Sequence, residues 1–166
     1  KSGAVFDIEK LNWMNKTYLQ NIDISDLNIE INKICKENKI ELNNKNQLSK
    51  MIAYGKPRAN TINGIFNEIK CFISYKKTNH ELLKKYSYKM LIKLWVKNLE
   101  QLEVVNQLEI NNLVALTKDE LDIVGKNIFI PLRLMLIGQE YGPDLFTMLN
   151  ILGKKESIRR LKLNNT

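Results

Sequence analysis

The chain has 166 residues, 44% hydrophobic and 27% charged, with 26 Lys and Arg against 18 Asp and Glu for a formal charge of +8. That composition can bury a core and excludes disorder as the main state. No apolar stretch approaches the roughly 20 residues needed to cross a bilayer, since the greasiest run, Ile128 to Ile137, is interrupted by Pro131 and Arg133. The chain opens at Lys1 with neither a methionine nor a signal peptide, so it is expected to be part of a longer, cytoplasmic protein.

Arginine occurs only at positions 58, 133, 159 and 160, and every other basic residue is lysine. Lysine supplies a flexible point charge, whereas arginine supplies a rigid fork of donors and a flat stacking face. The four arginines are therefore the basic residues to follow. Cys35, Cys71 and a single His80 cannot form a zinc site. Both thiols are expected in or near the core of a reduced protein, and His80 on the surface at a helix start.

Nearly every segment has helical periodicity, and no alternating strand stands out. Asp7 caps a helix with Ile8, Leu11, Met14 and Tyr18 on one stripe. Ser25 or Asp26 opens the next, with Leu27, Ile31, Ile34 and Cys35 inward. A polar break at Asn43-Asn44-Lys45-Asn46 precedes a short helix through Leu48, Met51 and Ile52 that stops at Gly55. Pro57 is expected to deny Lys56 a helical conformation and make 56–60 a tight connection. Thr61 opens a helix with Ile62, Ile65, Phe66, Ile69 and Phe72 inward.

One long amphipathic helix is predicted from Asn79 to about Glu103, through Leu82, Leu83, Tyr86, Met90, Leu94 and Leu99. Thr117-Lys118-Asp119-Glu120 has the spacing of a capping box. Pro131 and Pro143 are placed in first helical turns, Gly138 and Gly153 at left-handed helix ends. The last helix, from about Lys155, turns Ile158, Leu161 and Leu163 inward and Arg159 and Arg160 outward. The predicted fold class is all-α, a two-part helical bundle. Seams are expected at 74–79 and, more weakly, at 21–25.

No glycine-rich phosphate loop and no nucleophile elbow occur, and His80 has no serine or cysteine partner in sight. Binding is favoured over bond-breaking chemistry. The segment from Pro131 to Leu145 is the most informative. Two helices meet around a short loop, with Arg133 expected in the first turn of one and Pro143 and Leu145 at the start of the other. Helix N-termini expose free N–H groups and partial positive charge. Tyr141, Pro143 and Leu145 offer a flat or apolar face for an unstacked base, although plain packing explains the proline and the leucine equally well. A protein-binding helical scaffold and a lysine-rich module on anionic membranes are the competing classes. The second needs a large exposed apolar face, and the 79–103 stripe is better used in a core.

Ser2-Gly3-Ala4-Val5-Phe6-Asp7, then Lys10-Leu11-Asn12-Trp13-Met14-Asn15 and Tyr18, resembles the segment that follows the catalytic domain in bacterial-type glutamyl-tRNA synthetases. Pro131-Leu132-Arg133, Gly138, Gly142-Pro143-Asp144-Leu145 and Leu152-Gly153-Lys154 through Arg159-Arg160-Leu161 resemble the C-terminal end of the same enzymes. The resemblance implies the end of a stem-contact domain (1–23) and two helical anticodon-binding subdomains (24–75 and 76–166). It implies that Arg133, Tyr141, Gly142, Pro143 and Leu145 hold anticodon bases, with only backbone contact at Gly142. Arg58 is implied at the third anticodon base, and Lys10 and Trp13 at the tRNA stem. This part would recognise tRNA without catalysing, with no cofactor of its own. ATP and Mg2+ would belong to a catalytic domain of the parent, a glutamate-tRNA ligase. The implied partner is tRNA, not DNA or membrane, and the implied state a monomer. The residues leave open whether glutamine tRNA is served as well as glutamate tRNA, with Arg58 leaning toward discrimination.

Overall fold

The computed structural model describes residues 7–42 and 47–165. The polar break expected at 43–46 and motif residues 2–6 lie outside them. Among the described residues there are ten α-helices and no strand, the all-α class predicted from periodicity. The chain divides into two compact units, Lys1–Ser74 and Tyr75–Thr166.

In the first unit, α1 (Ile8–Asn21) is capped by Asp7, whose carboxylate accepts from the Lys10 amide at 3.0 Å. The residues of its apolar stripe, Ile8, Leu11, Met14 and Tyr18, are all exposed, and Leu19 is the buried residue of the helix. Periodicity reveals which face is apolar, not what covers it. The C-terminal end of the helix is tied down: Gln20 Nε2 donates to the Lys56 carbonyl at 3.0 Å, while Lys56 Nζ donates to the carbonyls of Gln20 and Ile22 at 2.9 and 2.7 Å.

The core of this unit is made by α2 (Ile24–Glu37), α3 (Leu48–Gly55) and α4 (Ile62–Ile73). Leu27, Ile31 and Cys35 meet Leu48, Met51 and Ile52 and the Ile65, Phe66, Ile69, Phe72 stripe, all buried. A Cβ on Gly55 would lie 2.8 Å from Ile69 Cγ2, so a glycine is what lets α3 approach α4. Lys56 is helical after all (φ −52°, ψ −50°), and Lys56–Arg58 form a 3-10 turn. Pro57 sits in the first turn of that segment, where a missing N–H is tolerated. Cys35 is buried, and Cys71 is half-buried with its Sγ 3.9 Å from the Glu68 carbonyl.

The second unit holds α5 (His80–Leu83), α6 (Tyr88–Gln101), α7 (Gln107–Leu121), α8 (Lys126–Ile137), α9 (Leu145–Leu152) and α10 (Lys154–Leu163), with α10 packed on α6, α8 and α9. The single helix predicted over 79–103 is broken by a turn at 84–87. That break resets the phase, so Leu82 and Met90 are exposed while Leu91, Ile92, Leu94, Trp95 and Leu99 are buried. His80 is half-buried, not a plain surface residue, with Nδ1 3.1 Å from the Tyr88 hydroxyl.

Thr117 caps nothing. Asn106 caps α7 by accepting from the Glu109 amide, and Thr117 sits fully buried three turns later. There its hydroxyl accepts from Trp95 Nε1 at 2.9 Å and donates to the Leu113 carbonyl at 2.6 Å. A buried indole needs an acceptor, and this requirement outweighs the capping signal.

Arg160 also departs from expectation. It is buried, only 2% exposed, with Nε 2.7 Å from Glu156 Oε1, Nη1 donating to the Leu136 carbonyl at 2.7 Å, and its guanidinium 4.7 Å from the Tyr75 ring centre. Asn164 closes the same cluster through the Thr78 amide, the Tyr75 hydroxyl and the Arg160 carbonyl. Leu163 is exposed instead of inward. Arg159 does face outward, forked onto Glu156 at 2.6 and 2.7 Å. Gly153 has positive φ (75°), but its ψ of 159° is extended, not left-handed helical.

Candidate nucleic-acid interface

In the second unit, α8 begins at Lys126, where the Gly125 carbonyl accepts from the Ile128 and Phe129 amides. Pro131 is therefore inside the helix, not in its first turn, and Arg133 lies in the helix's second half. The free N–H groups of a helix start are not what Arg133 offers. Its contribution is its own side chain.

Gly138 ends α8 in the left-handed conformation (φ 73°), its amide bonded to the Leu134 carbonyl at 2.9 Å. The loop then carries Tyr141 outward, 84% exposed. Gly142 has φ 147°, and a Cβ there would lie 3.0 Å from Ile137 Cδ1. Pro143 follows, one residue before the cap of α9 rather than at its first position. Asp144 is that cap, accepting from the Thr147 amide at 2.9 Å and its hydroxyl at 2.7 Å. Partial burial pushes the Asp144 carboxyl up; the Thr147 bonds, with those from the Asp144 and Phe146 amides, outweigh it and leave the group below its ordinary value. Leu145 opens α9 and is buried, 4% exposed, which makes it a wall of the site more than a surface.

Arg133 Nε donates to the Pro143 carbonyl at 3.1 Å. Among the described residues its two Nη groups have no partner, and the side chain is half-buried. The site thus presents an oriented guanidinium fork, an exposed phenol ring and a rigid glycine-proline backbone. Beside it, Phe129 and Phe146, both half-buried, join Asp144 and Leu145 in lining a groove of about 370 Å3. Neither phenylalanine figured in the sequence reading. The available signal was Phe129 standing four residues before Arg133, which puts both on one helix face.

In the first unit, Arg58 is exposed yet held: Nη1 donates to the Tyr54 carbonyl at 2.6 Å and the guanidinium stacks 3.9 Å from the Tyr54 ring centre. Tyr54 in turn meets Phe72 edge-on at 5.6 Å. Lys10 and Trp13 share one side of α1, with Trp13 67% exposed. Among the described residues no cluster of His, Cys, Asp or Glu could hold a metal ion, and no helix is long and apolar enough to cross a membrane.

The chain is 31% identical over 167 residues to a glutamate–tRNA ligase of Wigglesworthia glossinidia brevipalpis and 32% identical over 174 residues to one of Clostridioides difficile. These alignments cover 98% and 97% of the chain but 35% of each relative, so the chain spans about a third of the length of the curated relatives it matches. A crystal structure of a glutamate tRNA ligase from Elizabethkingia meningosepticum superposes with a TM-score of 0.76 at 27% identity, covering 100% of this chain and 34% of that one. A family model described as an anticodon binding domain matches residues 13–164. On that match, over nearly its whole length, the chain belongs to the anticodon binding domain family.

Proposed function

We propose that this chain is the tRNA-recognising, non-catalytic portion of a cytoplasmic, monomeric glutamate-tRNA ligase whose full length attaches glutamate to tRNA using ATP and Mg2+. Arg133, Tyr141, Gly142, Pro143 and Leu145 hold anticodon bases. Arg58, pre-stacked on Tyr54, reads a further base, and Lys10 and Trp13 touch the tRNA stem. Residues 1–23 close the stem-contact domain, and 24–75 and 76–166 form the anticodon-binding subdomains. Glutamate tRNA is the partner, with glutamine tRNA the alternative substrate of the parent.

The observation that carries this reading is the Arg133–Pro143 bond. It fixes one edge of the guanidinium against the loop that exposes Tyr141 and, among the described residues, leaves the outer donors without a partner. Single-stranded RNA is read by such pairs, bases stacking on aromatic or guanidinium planes while their edges are hydrogen-bonded. The lysine excess adds salt-dependent attraction to phosphates. The test is equilibrium binding to a glutamate tRNA transcript and to a copy with a swapped anticodon, at low and moderate salt. Salt-sensitive binding that weakens with the swap is expected. Binding that ignores the anticodon overturns the reading.

A further inference from the structure

The α6 helix carries lysine at positions 89, 93 and 97, and all three are exposed. Four-residue spacing sets them along one edge, about 6 Å of helix rise apart. None has an acidic partner among the described residues. The one acid of α6, Glu100, is already paired with Lys162 of α10 at 2.8 Å. The three lysines and Lys162 rim a groove of about 510 Å3, floored in part by Met90 and Val96. In the turn that precedes α6, Lys85 lies 3.9 Å from Glu140, in the loop that carries Tyr141, Gly142 and Pro143.

We propose that the Lys89–Lys93–Lys97 edge of α6 tracks the RNA sugar-phosphate backbone as it leaves the bases held at Arg133 and Pro143, an inference that rests on the anticodon reading above. Evenly spaced point charges match the regular charge of a phosphodiester chain. The absence of arginine from the edge fits backbone attraction without base readout. A lipid surface would require a broad exposed apolar face on α6. Instead Leu91, Ile92, Leu94, Trp95 and Leu99 are buried, and of the large apolar side chains on that helix Met90 alone is exposed.

The test is equilibrium binding of the 166-residue chain to the glutamate tRNA transcript and its anticodon-swapped copy over a salt series. Wild type is compared with the triple variant Lys89→Gln, Lys93→Gln, Lys97→Gln, and with a charge-matched control, Lys76→Gln, Lys126→Gln, Lys155→Gln. Each lysine meeting a phosphate of single-stranded RNA contributes about 0.7 to the slope of log affinity against log salt. The triple variant is thus expected to lose about 2 from the slope while keeping the cognate-to-swapped affinity ratio, and the control to keep its slope.

An unchanged slope in the triple variant, or an equal loss in the control, overturns the proposal. So does an unchanged RNA slope accompanied by lost binding to phosphatidylserine–phosphatidylcholine vesicles, which assigns the edge to lipid. A wild type blind to the anticodon, with the slope still falling in the triple variant, overturns the anticodon reading and leaves the lysine edge as a backbone contact.

Discussion

The Nε of Arg133 is bonded to the carbonyl of Pro143, 3.1 Å away, joining the second half of α8 to the residue before the cap of α9. The bond fixes the plane of the guanidinium and, among the described residues, leaves the two terminal nitrogens without a partner. A lysine at the same place could supply charge but neither the fixed plane nor the fork.

Arg133→Ala is therefore expected to lower affinity for glutamate tRNA about tenfold or more, from the roughly 1–3 kcal/mol a bidentate base contact is worth. It should also abolish the preference over an anticodon-swapped transcript. Lys84→Ala, which removes an exposed residue paired with Glu81, should cost only general affinity. Filter binding of both variants to both transcripts checks this, and equal losses across all four combinations would count against it.

Gly142→Ala tests the loop. Alanine would bear φ 147° and bring its Cβ to 3.0 Å from Ile137 Cδ1. A backbone conformation of that kind costs a side-chain-bearing residue about 1–3 kcal/mol. Stability should fall by that order in urea unfolding, and anticodon preference should weaken with it.

The two neighbouring arginines of α10 should behave oppositely. Arg160 is enclosed and bonded to Glu156 and the Leu136 carbonyl, so Arg160→Ala empties a buried position and orphans that carbonyl, at a cost of about 2–5 kcal/mol, while Arg159 still holds Glu156. Arg159 is half-exposed, and Arg159→Ala should cost less than about 1 kcal/mol. Denaturant midpoints of the two variants decide it.

Acid should destabilise the second unit through Glu156. Burial pushes this carboxyl up, but the Arg159 and Arg160 hydrogen bonds and charges outweigh it and hold the group below its ordinary value of 4.5. A carboxylate depressed in the folded state stabilises fully above its unfolded value, and the contribution is lost as pH falls through the folded one. Stability of the wild type should therefore drop on acidification below about 4.5, the ordinary value. Glu156→Gln should be less stable at neutral pH and show a shallower fall, as measured by thermal unfolding across pH.

Thr117→Val keeps the shape of the side chain and removes the acceptor of Trp95 Nε1. An orphaned buried donor costs about 1–3 kcal/mol. A matching shift in the urea midpoint is the expected outcome.

The sequence by itself determined the helical class, the caps at Asp7 and Thr61, the left-handed stop at Gly138 and the inward stripes of α2, α3 and α4, because these follow from short-range spacing and local hydrogen bonds. It also singled out the Pro131 to Leu145 stretch. Tertiary structure alone decided the rest. The apolar stripe of α1 is uncovered, since a period carries no information about a partner. The break at 84–87 re-phases α6, and α8 starts at Lys126, which moves Arg133 from a helix start to a helix interior. Thr117 and Arg160 read locally as a cap and a surface charge, yet each is consumed by a distant group: an indole N–H 22 residues away and a carbonyl 24 residues away. Burial of a polar group demands its partner wherever the fold brings one, and that demand outweighs local preference.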